Sequence, residues 1–216
     1  MKKYIFAFSL LIISSVLASA QNSDDYKKGK FFIGYSHGLV DGSTYRFVDT
    51  QQGFGDTGPS KFHGFNAAGV YNVSRYVGLK ADFSGTYNGG NINISVNPTT
   101  SITGRADNSL YNVLGGVQFK DNSSDRRLKP FAHFLAGVGL ARTKVEAACA
   151  PTANCTGVIP PASSNETGFS GAFGAGFDLK LNDRFDLRLV QMDYNPVNLD
   201  SGMLHNVRIG VGIVIK

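Results

Sequence analysis

Four histidines and two cysteines are the side chains in this sequence that could ligate a metal or carry nucleophilic or acid–base chemistry. His37, His63, His133 and His205 fall on extended segments or at their ends, and none stands at a metal-type or catalytic spacing from another. A histidine so placed is ordinarily a hydrogen-bonded filler. His37 and His63 come nearest to a site, because they fall at corresponding ends of adjacent segments, with Ser36 and Asp41 close by. A hydrolase would need clustered histidines with a serine or an acid, and this grouping is too sparse to carry one, so no enzymatic activity is expected. Cys149 and Cys155 flank Ala150-Pro151-Thr152-Ala153-Asn154, which reads as loop. With no adjacent histidine they do not make a tetrahedral metal site. In an exported chain they are expected to form a disulfide that stiffens that loop. Gly174-Ala175-Gly176 is followed by neither a helix nor Gly-Lys-Ser/Thr, so it is not a phosphate loop. No cofactor is expected.

A second set of chemically active groups is Lys80, Asp82, Asp178, Lys180, Arg188 and Arg208. Each alternates with apolar neighbours, which directs attention to the elements that carry them. The clearest is Asn206 to Ile215. There Val207, Ile209, Val211, Ile213 and Ile215 alternate with Asn206, Arg208, Gly210 and Gly212, and only Val214 breaks the pattern. Side chains along a strand alternate faces, so this is a strand with one apolar face and one small or polar face.

The same reading gives eight strands. The others are Phe31–Leu39 (with Phe32 out of phase), Phe62–Val73, Tyr76–Tyr87, Ser109–Phe119 (with Leu114 out of phase), Pro130–Thr143, Phe169–Leu181 and Phe185–Tyr194. In the seventh, Gln191 and Asp193 enter the apolar register, and a β-bulge near Leu189-Val190 would restore the phase. Stretches 40–60, 88–106 and 144–166 read as long loops, 195–203 as a shorter one, and the remaining connections as tight turns. Long and short connections therefore alternate, with both ends of the barrel segment on the short-turn side.

Composition agrees with β-structure: Gly 26, Phe 16, Tyr 9 and only 17% charged residues. Lys2 and Lys3, an apolar run from Tyr4 to Val16, and Ala18-Ser19-Ala20 make residues 1–20 a secretory signal peptide cleaved after Ala20. The apolar run falls short of the roughly 20 residues a membrane helix needs. Residues 21–29 are a polar lead-in and 30–216 the barrel domain. The formal charge of +5 falls to +3 without Lys2 and Lys3, with the basic residues scattered, which excludes a nucleic-acid partner.

Alternation alone does not say which face meets solvent. A secreted lipocalin-like binder would turn the apolar face inward around a ligand cavity. An all-β, eight-stranded antiparallel up-and-down transmembrane barrel would turn it toward lipid. The glycine-rich, sparsely charged second face and the loop asymmetry favour the membrane arrangement. So do aromatic residues at both ends of the apolar face, Tyr71 and Phe119 at one and Phe83, Tyr87, Tyr111 and Phe169 at the other. In that frame Lys80, Asp82, Asp178, Lys180, Arg188 and Arg208 point into a lumen just wide enough to be filled by side chains. Buried charges must pair, so crossed ion pairs are expected to plug it. A narrow channel is the alternative.

The stretches His63-Gly64-Phe65-Asn66, Val77-Gly78-Leu79-Lys80-Ala81-Asp82-Phe83-Ser84-Gly85, Lys129-Pro130-Phe131-Ala132-His133 and Leu189-Val190-Gln191-Met192-Asp193-Tyr194 resemble the eight-stranded outer membrane β-barrel family typified by the OmpA transmembrane domain. The resemblance covers nearly all of 30–216. It implies a monomer in the bacterial outer membrane, surrounded by its lipids and inserted by the barrel-assembly machinery, whose role is structural or is an adhesion-like contact with a host or surface ligand through its external loops. It also implies an aromatic last residue, whereas this sequence ends Val214-Ile215-Lys216.

Overall fold

The computed structural model describes residues 26–41, 60–97, 100–150 and 161–216, apart from the side chains of 41, 92–97, 100–102 and 147–150. The signal-peptide reading of 1–20 and most of the loop at 40–60 lie outside these residues, as do Cys155 and the side chain of Cys149, and with them the expected disulfide.

The described chain forms strands β1 (Gly29–Asp41), β2 (Ser60–Asn72), β3 (Val77–Asn97), β4 (Thr100–Lys120), β5 (Leu128–Ala150), β6 (Ala162–Lys180), β7 (Phe185–Tyr194), β8 (Val197–Leu199) and β9 (Gly202–Ile215). Each pairs antiparallel with its neighbours, and β1 pairs with β9 to close the ring. Closure leaves no unpaired edge within the ring itself. The three-residue β8 pairs with both β6 and β9, so β7 and β8 together make one stave interrupted at Asn195-Pro196. The ring therefore has eight staves, as the periodicity requires. The stretch 195–203, expected to be loop, instead carries β8, and β9 begins at Gly202. Proline has no N–H to give to a ladder, which explains the break at Pro196.

Side-chain facing follows the alternation. Ile33, Tyr71, Leu79, Phe83, Phe119, Phe169, Phe173, Val211 and Ile213 are exposed on the outer surface. The residues that broke the apolar phase have a common explanation. Phe32, Leu114 and Val214 are buried because they point into the lumen. In β7, Phe177 pairs with Val190 while Asp178 pairs with Arg188, so Leu189 is the extra residue of a bulge. The bulge lets Asp186 and Arg188 on one side, and Gln191 and Asp193 on the other, all face inward and lie buried.

The external end differs most from the sequence reading. The described residues of 88–106 are strand, not loop. β3 and β4 stay paired from Asn88↔Asn108 to Ser95↔Ser101, and β5 extends beside them to Ala150. Likewise β5 and β6 occupy much of 144–166. Beyond Tyr87, β3 runs ten more residues, about 30 Å of strand at roughly 3.3 Å per residue. At the opposite end the turns are short. Asn182 Oδ1 accepts hydrogen bonds from the N–H groups of Arg184 and Phe185, both 2.8 Å, closing the β6–β7 turn. The lead-in is anchored before β1: Asn72 Nδ2 donates to the carbonyl of Lys27 at 2.6 Å, and the Asn72 N–H to that of Lys28 at 2.7 Å.

Candidate functional site

The lumen is built in layers. At the external end Val40, Phe62, Leu110, Ala141, Val197, Leu199 and Leu204 form one buried apolar cluster. Val40, Phe62 and Leu204 come from strand ends, which brings them together as a cap across the mouth. Below it lies a layer of amides and a hydroxyl. Ser170 Oγ donates to Asn112 Oδ1 (2.8 Å), Asn195 Nδ2 to Ser170 Oγ (3.0 Å), and Asn206 Nδ2 to Asn195 Oδ1 (3.2 Å).

The remaining lumen holds the charges. Lys80 Nζ lies 3.3 Å from Asp82 Oδ2, close enough to attract but without hydrogen-bond geometry. Asn66 Nδ2 donates to Asp82 Oδ1 at 2.8 Å. Arg208 Nη2 reaches Asp82 Oδ1 at 3.3 Å and Asp193 Oδ2 at 2.7 Å. Asp193 also accepts from Gln191 Nε2 at 2.7 Å and stands 3.2 Å from His133 Nε2. Gln191 Oε1 accepts from Arg188 Nη1 at 2.6 Å, and Arg188 Nε donates to Asp178 Oδ1 at 2.8 Å. Asp178 accepts in turn from Lys120 Nζ, which is 4.0 Å from Asp186, and Asp186 meets Lys216 Nζ at 2.7 Å. The Arg188 guanidinium lies between two aromatic faces, 4.3 Å from the Phe32 ring centroid and 4.1 Å from that of Phe131.

One continuous chain of contacts thus runs from Lys80 to the short-turn rim. Its most deeply buried members are Lys80, Lys120, Arg188 and Arg208 with Asp82, Asp178, Asp186 and Asp193, and the buried Lys129 and partly buried Lys30 and Lys216 add cations toward the short-turn rim. Uncompensated buried charge costs several kcal/mol per ion, so a cation beside every buried carboxylate is what lets the lumen hold them. Of the charged residues expected there, Lys80, Asp82, Asp178, Arg188 and Arg208 are brought together. Lys180 is not. Its side chain is 28% exposed at the rim and pairs with Asp125 (3.2 Å) and Asp183 (3.5 Å), because it is the last residue of β6 and reaches past the ring. Lys120, Asp186, Asp193 and Lys216 were missed. Lys120 follows Phe119 at a strand end and alternates inward with it, a signal the sequence did contain.

Away from the lumen, a rim contact outside the bilayer joins two short turns. Arg75 Nε donates to Asp121 Oδ1 at 3.1 Å, and this hydrogen bond holds the Asp121 carboxyl below the usual carboxylate range. His37, His63 and His205 point outward at the external rim, whereas His133 is fully buried. Among the described residues, no group of three or more His, Cys, Asp or Glu is placed to hold a metal ion. No helix among them is long and apolar enough to cross a membrane, so crossing falls to the strands.

A family model for the outer membrane protein β-barrel domain matches residues 7–214. The chain belongs to that family. Solved structures agree on the architecture of this outer membrane barrel. It is similar to Ail, the attachment invasion locus protein of Yersinia pestis, determined in complex with the heparin analogue sucrose octasulfate. That match has 19% identity and a TM-score of 0.55, covering 87% of this chain and 99% of that one. It is also similar to Neisserial surface protein A, with 12% identity, a TM-score of 0.53, and coverage of 87% and 96%. No protein with a curated description matches the sequence. Family and fold together put the barrel in the bacterial outer membrane, with its exposed apolar face against lipid. A secreted lipocalin-like binder would need an open apolar cavity, and here the inward face is filled by the cap and the ion pairs.

Proposed function

We propose that this barrel is a surface-interaction protein, adhesion-like in role, in which the lumen is a structural plug and the external sheet is the working part. The observation that carries the reading is the pairing of β3, β4, β5 and β6 well beyond the external aromatic residues. A loop would suffice to close a barrel, whereas a paired sheet presents fixed side chains to a partner. Arg105, Asp107, Arg142, Lys144 and Glu146 are exposed on this sheet. Arg105 is held by Asp107 at 2.9 Å, while Arg142 and Lys144 add further cationic groups one strand over. The partner is a ligand on a host cell or another surface. The protein acts as a monomer, delivered by the barrel-assembly machinery, with no cofactor and no reaction of its own.

Replacing 88–108 by a two-residue turn tests this. The shortened barrel should still show heat-modifiable migration in detergent gels, yet bacteria displaying it should lose adherence to epithelial monolayers relative to those displaying the full chain. Equal adherence would overturn the assignment. A small channel is the second reading, and it requires the ion-pair chain to open.

A further inference from the structure

The lumen charges fall into two groups. Lys80 and Arg208 stand against Asp82 and Asp193, two of each sign. Nearer the short turns, five cations, Lys30, Lys120, Lys129, Arg188 and Lys216, meet two carboxylates, Asp178 and Asp186. A main-chain carboxylate on Lys216 would lower that excess by one, and cations would still lead. Lys30, Lys129 and Lys216 take the inward alternation beside the outward Phe31, Leu128 and Ile215. The crowd is compact: Lys30 lies within electrostatic reach of Lys120 and Lys129, and Lys129 within reach of Lys120 and Lys216.

Both carboxylates are already engaged. Asp178 accepts from Arg188 and Lys120, and Asp186 accepts from Lys216 at 2.7 Å. Lys30 donates to Asn122 Oδ1 at 2.6 Å. The other end of that amide is the telling group. Asn122 is 8% exposed, yet its Nδ2 has no hydrogen-bond partner among the described residues. A buried amide donor ordinarily has an acceptor. Ammonium groups add donors and no acceptors, so this mouth is rich in donors and short of oxygens to receive them. Asp186 Oδ2, itself without a hydrogen bond and 4.0 Å from Lys120, would repel an anion set against it. The favourable position is therefore on the side of Lys30, Asn122 and Lys129. Around the mouth Lys27, Lys28, Arg126, Arg127 and Arg184 are exposed, against Asp125 and Asp183, and such a field draws anions in.

We propose that the short-turn mouth of the lumen binds a soluble phosphate-class oxyanion, held by Lys30, Lys129 and the Asn122 amide. A tetrahedral oxyanion offers acceptor oxygens in several directions, which suits donors arriving from different staves. Its multiple negative charge matches a multiple cation excess, which a single carboxylate would not. The donors face the barrel axis and not the surrounding lipid, which separates this anion from a lipid headgroup. The ion pairs and apolar cap beyond it make the site a place of docking, not a step in conduction.

The test uses the full barrel folded in zwitterionic detergent micelles and titrated with sodium phosphate at neutral pH and constant ionic strength. Calorimetry should show one equivalent bound, and the nitrogen-15 side-chain amide resonances of Asn122 should shift to saturation. Those of Asn206, in the amide layer under the cap, should not move. Lys30→Gln and Lys129→Gln should each weaken binding by about tenfold. Lys61→Gln, at the first turn of β2 away from this mouth, should leave it unchanged. Asn122→Asp keeps an acceptor for Lys30 but replaces the amide donor with an oxygen, and should abolish binding. Heat-modifiable migration checks that each variant is folded, and the Asn122 shift in the unaltered protein decides the matter for any that is not. A shift that fails to saturate, that chloride reproduces at equal ionic strength, or that both lysine variants retain would overturn the site. A shift seen only when phosphatidylglycerol is added to the micelles would overturn it too, by giving the donors to lipid.

Discussion

Arg208→Met should be among the most damaging single substitutions in the lumen. Arg208 is 2% exposed and donates to Asp193 through Nη2 at 2.7 Å and Nε at 3.1 Å, and to Asp82 at 3.3 Å. Its removal takes away the cation that lies between Asp82 and Asp193. Asp82 keeps only Lys80 and Asn66, and Asp193 keeps Gln191 and His133. Breaking a buried ion pair from one side costs about 3–5 kcal/mol, roughly two to four decades in the folding constant. Arg208→Met/Asp193→Asn removes the opposite charge as well. The carboxylate left without its cation is then gone, and Asp82 keeps Lys80 at 3.3 Å. Asn keeps an oxygen that accepts from Gln191, so the double variant should recover at least about half of the loss, a coupling above about 1 kcal/mol. The chain has no Trp, so folding is read by the band shift on unboiled gels across a urea titration in lipid vesicles. A single-variant loss below about 1 kcal/mol, or a double variant less stable than both singles summed, would refute charge pairing as what holds the lumen together.

Glycine substitutions should divide by face. Gly116→Ala and Gly137→Ala place a Cβ 2.1 Å from the carbonyl oxygens of Phe134 and Val113 and should impair refolding, whereas Gly115→Ala and Gly69→Ala open onto empty space and should refold as the parent does. Phe62→Ala hollows the apolar cap and should cost about 3–5 kcal/mol by the same urea assay. The Asp121 carboxyl should titrate below the ordinary value of about 3.9, and Arg75→Ala should move its carbon-13 midpoint upward. Because the folded value is the depressed one, this contact contributes stability above the unfolded pKa and loses it as pH falls through the folded one.

Strand number, facing and the β7 bulge were legible because lipid enforces a sharp contrast: every second residue must be apolar where acyl chains touch it. Leu114, Phe32 and Val214 looked like noise in that pattern because an apolar residue is tolerated inside a lumen as well as outside. The external sheet was missed for a different reason. Asn91-Ile92-Asn93-Ile94-Ser95-Val96-Asn97 does alternate with a period of two, but the density of Asn, Ser, Thr and Gly across 88–106 is that of a loop and outweighed it, whereas backbone pairing with the preceding strands continues. Charged lumen residues such as Lys80, Asp82 and Arg208 could be placed by alternation, but which carboxylate meets which cation depends on staves far apart in sequence. Arg208 and Asp82 are separated by 126 positions. That His37 and His63 fall at corresponding ends of adjacent strands was legible, but their direct pairing was not, because the β1–β2 register is not set by a tight turn.

A surface role for this barrel requires a lumen closed by its own side chains. Planar-bilayer recording of the purified barrel tests that most directly. Membranes that stay silent after insertion, with insertion verified by protease protection, are the result expected. Reproducible steady conductance steps would mean that the ion-pair chain and the apolar cap leave a pore, and would move the protein's role from its external sheet to its interior.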